Sequence, residues 1–85
     1  MSSKAPEQVA PGLKKLEGQY INDQGRVEKW TAYYDEYGRL KARTDYNAGN
    51  KKQRIPDVHH HMYDYGPGYN KRETAKHVPG PFSED

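Results

Sequence analysis

Aliphatic side chains are scarce in this chain. Leu, Ile, Val and Phe together amount to Val9, Leu13, Leu16, Ile21, Val27, Leu40, Ile55, Val58, Val78 and Phe82 among 85 residues, a poverty that ordinarily accompanies disorder. Two features argue for a folded domain instead. The net charge of +2 is low for a disordered chain, and eight tyrosines with Trp30 can bury large ring areas while keeping a polar atom at the surface. Because so small a chain buries a modest fraction of its surface, the expectation is a thin, tyrosine-rich core, with Trp30, Tyr34 and Tyr46 in it, and frayed ends.

The order of residues reads as β structure. Gln19-Tyr20-Ile21 leads through Asn22-Asp23-Gln24-Gly25, a turn-forming tetrapeptide, into Val27 to Tyr34. Asp35-Glu36-Tyr37-Gly38 repeats that form and opens Arg39 to Tyr46, where Leu40, Ala42, Thr44 and Tyr46 alternate with Arg39, Lys41, Arg43 and Asp45. Asn47 to Pro56 reads as a basic loop, and Val58 to Tyr65 as a fourth strand that Gly66-Pro67-Gly68 ends. Leu13 to Leu16, fenced by Gly12 and Gly18, is expected to form one helical turn. The fold class is therefore mainly β, with a small α+β arrangement as the alternative: an antiparallel meander of about four strands, a short N-terminal helical turn and an irregular C-terminal tail. Residues 1–12 are expected to be a flexible leader, 13–82 one small domain, and 83–85 a frayed acidic end.

Several function classes fall away. With no cysteine, disulfides, thiolate metal sites and a Cys nucleophile are excluded. No apolar run reaches the length of a membrane span, and the N-terminal residues lack the basic-then-apolar pattern of a signal peptide. Gly66-Pro67-Gly68-Tyr69-Asn70-Lys71-Arg72 lacks the spacing of a phosphate-binding loop, and no G-x-S-x-G motif occurs. The positive charges are bunched in Lys41 to Arg54 and Lys71 to Lys76, a pattern that suits a polyanionic partner, although charge alone favours a solvated surface.

Tyr34-Asp35-Glu36-Tyr37-Gly38-Arg39-Leu40, followed by Arg43-Thr44-Asp45, resembles the tyrosine-aspartate repeat hairpin of bacterial Rhs-type proteins. The order that follows is similar to the short C-terminal effector modules of bacterial polymorphic toxins: the basic loop, Ile55-Pro56-Asp57, His59-His60-His61, an aromatic-acidic strand and His77-Val78-Pro79-Gly80. This resemblance spans roughly Gly18 to Phe82 and implies a nuclease as the common activity, an immunity protein as partner, and action in the cytoplasm of a target cell. It assigns no catalytic residue.

The residues themselves suggest where chemistry would lie. Strand alternation puts His59 and His61 on one face with Tyr63 and Tyr65, and His60 on the other with Val58 and Met62. Two same-face imidazoles can exchange protons with a ribose 2′-hydroxyl and a leaving oxygen, with Lys41 and Arg43 stabilising the phosphate. They can also bind a transition metal, given a third ligand such as Asp45, Asp57 or His77. A purely structural histidine edge is the bland alternative. The leading expectation is a metal-independent, cofactor-free ribonuclease with His59, His61, Arg43 and Lys41 as catalytic candidates and no metal ligand. Lys51, Lys52, Arg54, Tyr63 and Tyr65 are its candidates for binding RNA or other nucleic acid. The rival is a non-enzymatic protein-binding or assembly module whose sheet edges engage a partner.

Overall fold

The computed structural model describes residues 4–67 and 70–83. Residues 1–3, Gly68, Tyr69, Glu84 and Asp85 lie outside the described residues, and with them parts of the expected leader, strand stop and acidic tail. Five strands form one antiparallel sheet in chain order: β1 (Lys15–Ile21), β2 (Val27–Tyr34), β3 (Leu40–Tyr46), β4 (His59–Tyr65) and β5 (Lys71–Pro79). The mainly β expectation holds. Among the described residues no helix is long and apolar enough to cross a membrane.

Both early hairpins form where side-chain oxygens can hold a turn. Asn22 Oδ1 accepts from the backbone N–H groups of Gln24 and Arg26, and Asp35 Oδ1 accepts from those of Tyr37 and Arg39. Gly25 and Gly38 take φ values of 78° and 81°, which a glycine adopts without steric penalty.

Two expectations are corrected. Leu13 to Leu16 makes no helical turn, because Lys15 already begins β1 and pairs with Tyr33. The residues after Tyr69 are not all irregular: Lys71 to Pro79 forms a fifth strand along β4. Its sequence hid this, since KRETAKHVP carries almost no apolar alternation and its pairing is twice interrupted. The steps from His60↔Val78 to Met62↔Ala75 and from there to Tyr63↔Glu73 each pass one residue more on β5 than on β4, so two bulges lengthen β5 to nine residues against the seven of β4.

The core lies on one face of the sheet, where Trp30, Ala32, Tyr34 and Leu40 are buried and Ala5, Val9, Leu16, Tyr20 and Tyr63 pack against them. The N-terminal segment crosses this face. Tyr34 donates its hydroxyl hydrogen to the Pro6 carbonyl at 2.7 Å, Leu40 N–H bonds the Glu7 carbonyl, Val9 N–H bonds the Gly38 carbonyl, and Lys71 forms an ion pair with Glu7. The opposite face is capped by the C-terminal segment: Phe82 meets the Tyr33 ring at 5.0 Å, and its N–H bonds the fully buried Thr44 hydroxyl at 2.9 Å.

Another irregularity affects the site. Tyr33 pairs with Ala42 but Tyr34 pairs with Leu40, which leaves Lys41 as the extra residue of a bulge in β3. Beyond it Leu40 joins the core face, so simple alternation no longer groups Lys41 with Arg43.

Candidate functional site

Register brings the site together. Across β3 and β4, Arg43 lies opposite His61 and Asp45 opposite His59, while Thr44 lies opposite His60. Directly opposed residues of an antiparallel pair share a face, so Arg43, Asp45, His59 and His61 form one group and His60 belongs to the reverse side. There His60 Nδ1 bonds the Gly80 carbonyl at 2.9 Å, and its ring stands 6.0 Å from Phe82.

Asp45 is the hub. Its Oδ2 accepts from Arg43 Nη2 at 3.0 Å and lies 3.3 Å from His59 Nε2 and 3.4 Å from His61 Nε2. Arg43 Nε stands 2.8 Å from Oδ1, without the alignment of a hydrogen bond. Burial works against ionisation of Asp45, but the facing His61 imidazole and the Arg43 guanidinium outweigh it and hold the carboxyl below its ordinary value. Burial likewise opposes the charge on Arg43, and Asp45 more than restores it.

The histidines are pinned from behind. His59 Nδ1 is 2.8 Å from the Pro56 carbonyl and His61 Nδ1 is 2.8 Å from Glu73 Oε2. With exposures of 2% and 6%, both rings are enclosed, so only their Nε2 edges remain for chemistry. A third imidazole completes the cluster: the His77 ring packs edge-on against His59 at 4.9 Å and His61 at 4.8 Å. Burial and the two neighbouring rings push its pKa down.

His77 occupies an unusual backbone position. It lies in the bulge opposite His61 with φ 51°, the left-handed conformation that one common type of bulge assigns to glycine. The second bulge moves Glu73 to the position across Tyr63, within reach of His61. Thus β5 supplies two members of the cluster that no periodicity in the sequence marks.

Of the residues singled out from the sequence, His59, His61, Arg43 and Asp45 come together, and His77 joins them. Lys41 is half-buried in its bulge. Lys51, Lys52 and Arg54 are exposed on the loop that runs into His59. Asp57, weighed as a metal ligand, instead pairs with Arg26 at 2.7 Å. Tyr65 donates to the Leu40 carbonyl at 2.7 Å, with the Arg39 guanidinium 4.6 Å from its ring, and Tyr63 lies under the Lys71 ammonium at 5.0 Å. Sequence reasoning missed Glu73 altogether, and the only signal was its place in a short basic stretch four residues before His77.

A small cavity of about 60 Å³ reaches Asp45 and Arg43 from the side of Lys4, Ala5, Tyr20 and Trp30. It has room for a few water molecules and not for a nucleotide.

No curated protein and no solved structure matches the chain. The model of one toxin family does, over residues 1–83. With all but the last two residues matched, the chain belongs to the PT8 toxin domain family.

Proposed function

We propose that this toxin domain acts by cleaving RNA, and that the cluster of His59, His61, His77, Asp45 and Arg43 is its reaction centre. The observation that carries the reading is the convergence of three imidazoles on one face beside a buried, ionised Asp45 and its guanidinium partner. Imidazole is the side chain best suited to proton transfer near neutral pH. The exposed cations Lys51, Lys52 and Arg54 follow the same strand end and suit a phosphate backbone. A toxin domain also implies an immunity protein that neutralises it in the cell that makes it.

The geometry alters the division of labour expected from the sequence. Arg43 is engaged with Asp45, so it fixes the carboxylate as much as it offers charge to a phosphate. His59 and His61 both direct Nε2 at the same Asp45 oxygen, whereas a metal-free acid–base pair needs one of these nitrogens protonated, the other bare, and both turned towards substrate.

The test is incubation of the pure protein with total RNA and with plasmid DNA, each with and without EDTA. RNA cleaved while DNA stays intact is the expected result. Cleavage of neither would transfer the function to partner binding through the open edges of β1 and β5.

A further inference from the structure

We propose that the histidine cluster is a metal centre, in which a divalent transition ion, zinc by ligand chemistry, is held by His59 Nε2, His61 Nε2 and an imidazole nitrogen of His77, with Asp45 as the anionic donor. The proposal takes the cluster as the functional centre, as above, and does not depend on RNA being the substrate.

The hydrogen bonds behind the rings decide their tautomers. The Pro56 carbonyl facing His59 Nδ1 can only accept, and so can the Glu73 carboxylate facing His61 Nδ1. Each Nδ1 therefore carries the hydrogen, and a neutral ring then presents a lone pair at Nε2. Arg43 already answers the Asp45 Oδ2 oxygen on one side, but two such lone pairs aimed at it still repel it unless a proton or a metal ion lies between them.

A proton on either ring would also help hold the Asp45 carboxylate ionised, and the distances favour a metal over it as the intervening cation. Imidazolium hydrogen bonds to a carboxylate run at about 2.7–2.9 Å. The separations here are 3.3 and 3.4 Å. Donor atoms each about 2.0–2.2 Å from a tetrahedral zinc lie roughly 3.3–3.6 Å from one another, which is the spacing found. The coordinating atoms of His59, His61 and His77 all lie within 4.8 Å of one another, so His77 stands beside the other two as the third imidazole of the set.

The supporting shell is also present. Ligating histidines characteristically donate their second ring hydrogen to a carboxylate or a backbone carbonyl, which orients the ring and raises its basicity. Glu73 does this for His61 and Pro56 for His59. A donor set of imidazoles and one carboxylate, without sulfur, suits zinc and neighbouring divalent ions over calcium or magnesium.

The full chain, stripped with chelator and dialysed, is titrated with Zn²⁺, and bound metal is counted by elemental analysis. One equivalent bound, with a melting temperature that rises on addition, is the expected result. His59→Ala, His61→Ala and His77→Ala should each weaken Zn²⁺ at least ten-fold, and Glu73→Gln about 10- to 100-fold, while His60→Ala binds as the wild type does. Circular dichroism confirms which variants are folded, and the half-buried His77 provides a ligand variant that leaves the enclosed rings in place. No stoichiometric Zn²⁺ in the wild type, or a folded His77→Ala with unchanged affinity, would overturn the proposal. RNA cleavage that persists in EDTA with no metal bound also overturns it and leaves the RNA reading standing. Zn²⁺ bound as expected by a protein that cleaves no RNA removes the RNA reading and leaves the metal centre.

Discussion

Gly18 is glycine because Trp30 takes the space a side chain would need. A Cβ built there would come within 2.3 Å of the Trp30 ring, and the ring belongs to the small buried core. With few aliphatics to compensate, Gly18→Ala should destabilise the fold by about 1–3 kcal/mol through overpacking, read as a lowered denaturation midpoint with an unchanged slope. Asp35 illustrates a polar side chain that specifies a turn. Burial works to raise its pKa, but bonds from the N–H groups of Arg39 and Tyr37 and from the Arg39 guanidinium outweigh it, so the net shift is downward. A carboxyl whose folded pKa is depressed stabilises the fold above its unfolded value, and that contribution is lost as pH falls through the folded one. Asp35→Asn should therefore cost about 1–3 kcal/mol at neutral pH, and the gap from wild type should close below the ordinary carboxylate value of about 3.9. A gap that stays constant across acid titration would show that charge is not what Asp35 contributes.

At the scale of elements, what was legible in the sequence is what local chemistry dictates. The Asn22 and Asp35 turns, the strands they join and the opposite faces of His59 and His60 all follow from side chains acting within a few residues of themselves. β5, Glu73 and the displacement of Lys41 were not legible, because each depends on a bulge, and a bulge changes the phase of alternation without leaving a compositional mark. His77 was visible only as a late histidine that could serve as a third ligand. Its left-handed backbone is the more telling feature, since a non-glycine residue held at φ 51° costs about 1–3 kcal/mol. Glycine would relieve that strain but lose the ring contacts with His59 and His61 and add backbone entropy, costs of about 1 kcal/mol each. His77→Gly should thus leave stability within about 1 kcal/mol of wild type while the activity of the cluster falls at least 100-fold. A clear loss of stability would mean that His77 serves chiefly to pack the sheet edge. The paired comparison on β4 has the reverse sense: His60→Ala should lower the melting temperature and spare activity, because its ring bonds Gly80 and packs near Phe82, whereas His59→Ala and His61→Ala should lose about 100-fold or more in rate, whether the rings move protons or hold a metal that does the chemistry.

The molecule as a whole has its sheet crossed on one face by residues 4–9 and capped on the other by the segment that ends in Phe82, with the loop from Asn47 to Val58 leading directly into the site strand. Arg26 ties that loop to the first hairpin through Asn47 and Asp57, which leaves Lys51, Lys52 and Arg54 exposed at its outer end. The net charge of only +2 provides little long-range attraction, so the proposed RNA function rests on this local group and on contacts close to the cluster. Each phosphate neutralised on a single strand releases counterions and adds about 0.7 to the slope of log affinity against log salt. Lys51→Gln combined with Lys52→Gln should therefore reduce the slope for single-stranded RNA by about 1.4 if both contact phosphates. The loss should be the same for every sequence tested, since phosphate contacts carry no direct base information. Cleavage at saturating RNA should be unchanged, because neither lysine belongs to the cluster. Fluorescence anisotropy across a salt series, with a cleavage-dead His61→Ala background to keep the RNA whole, makes the measurement. Affinity that is indifferent to salt, or a double variant with the parental slope, would place the polyanion surface elsewhere on the molecule or remove nucleic acid as the target of the toxin.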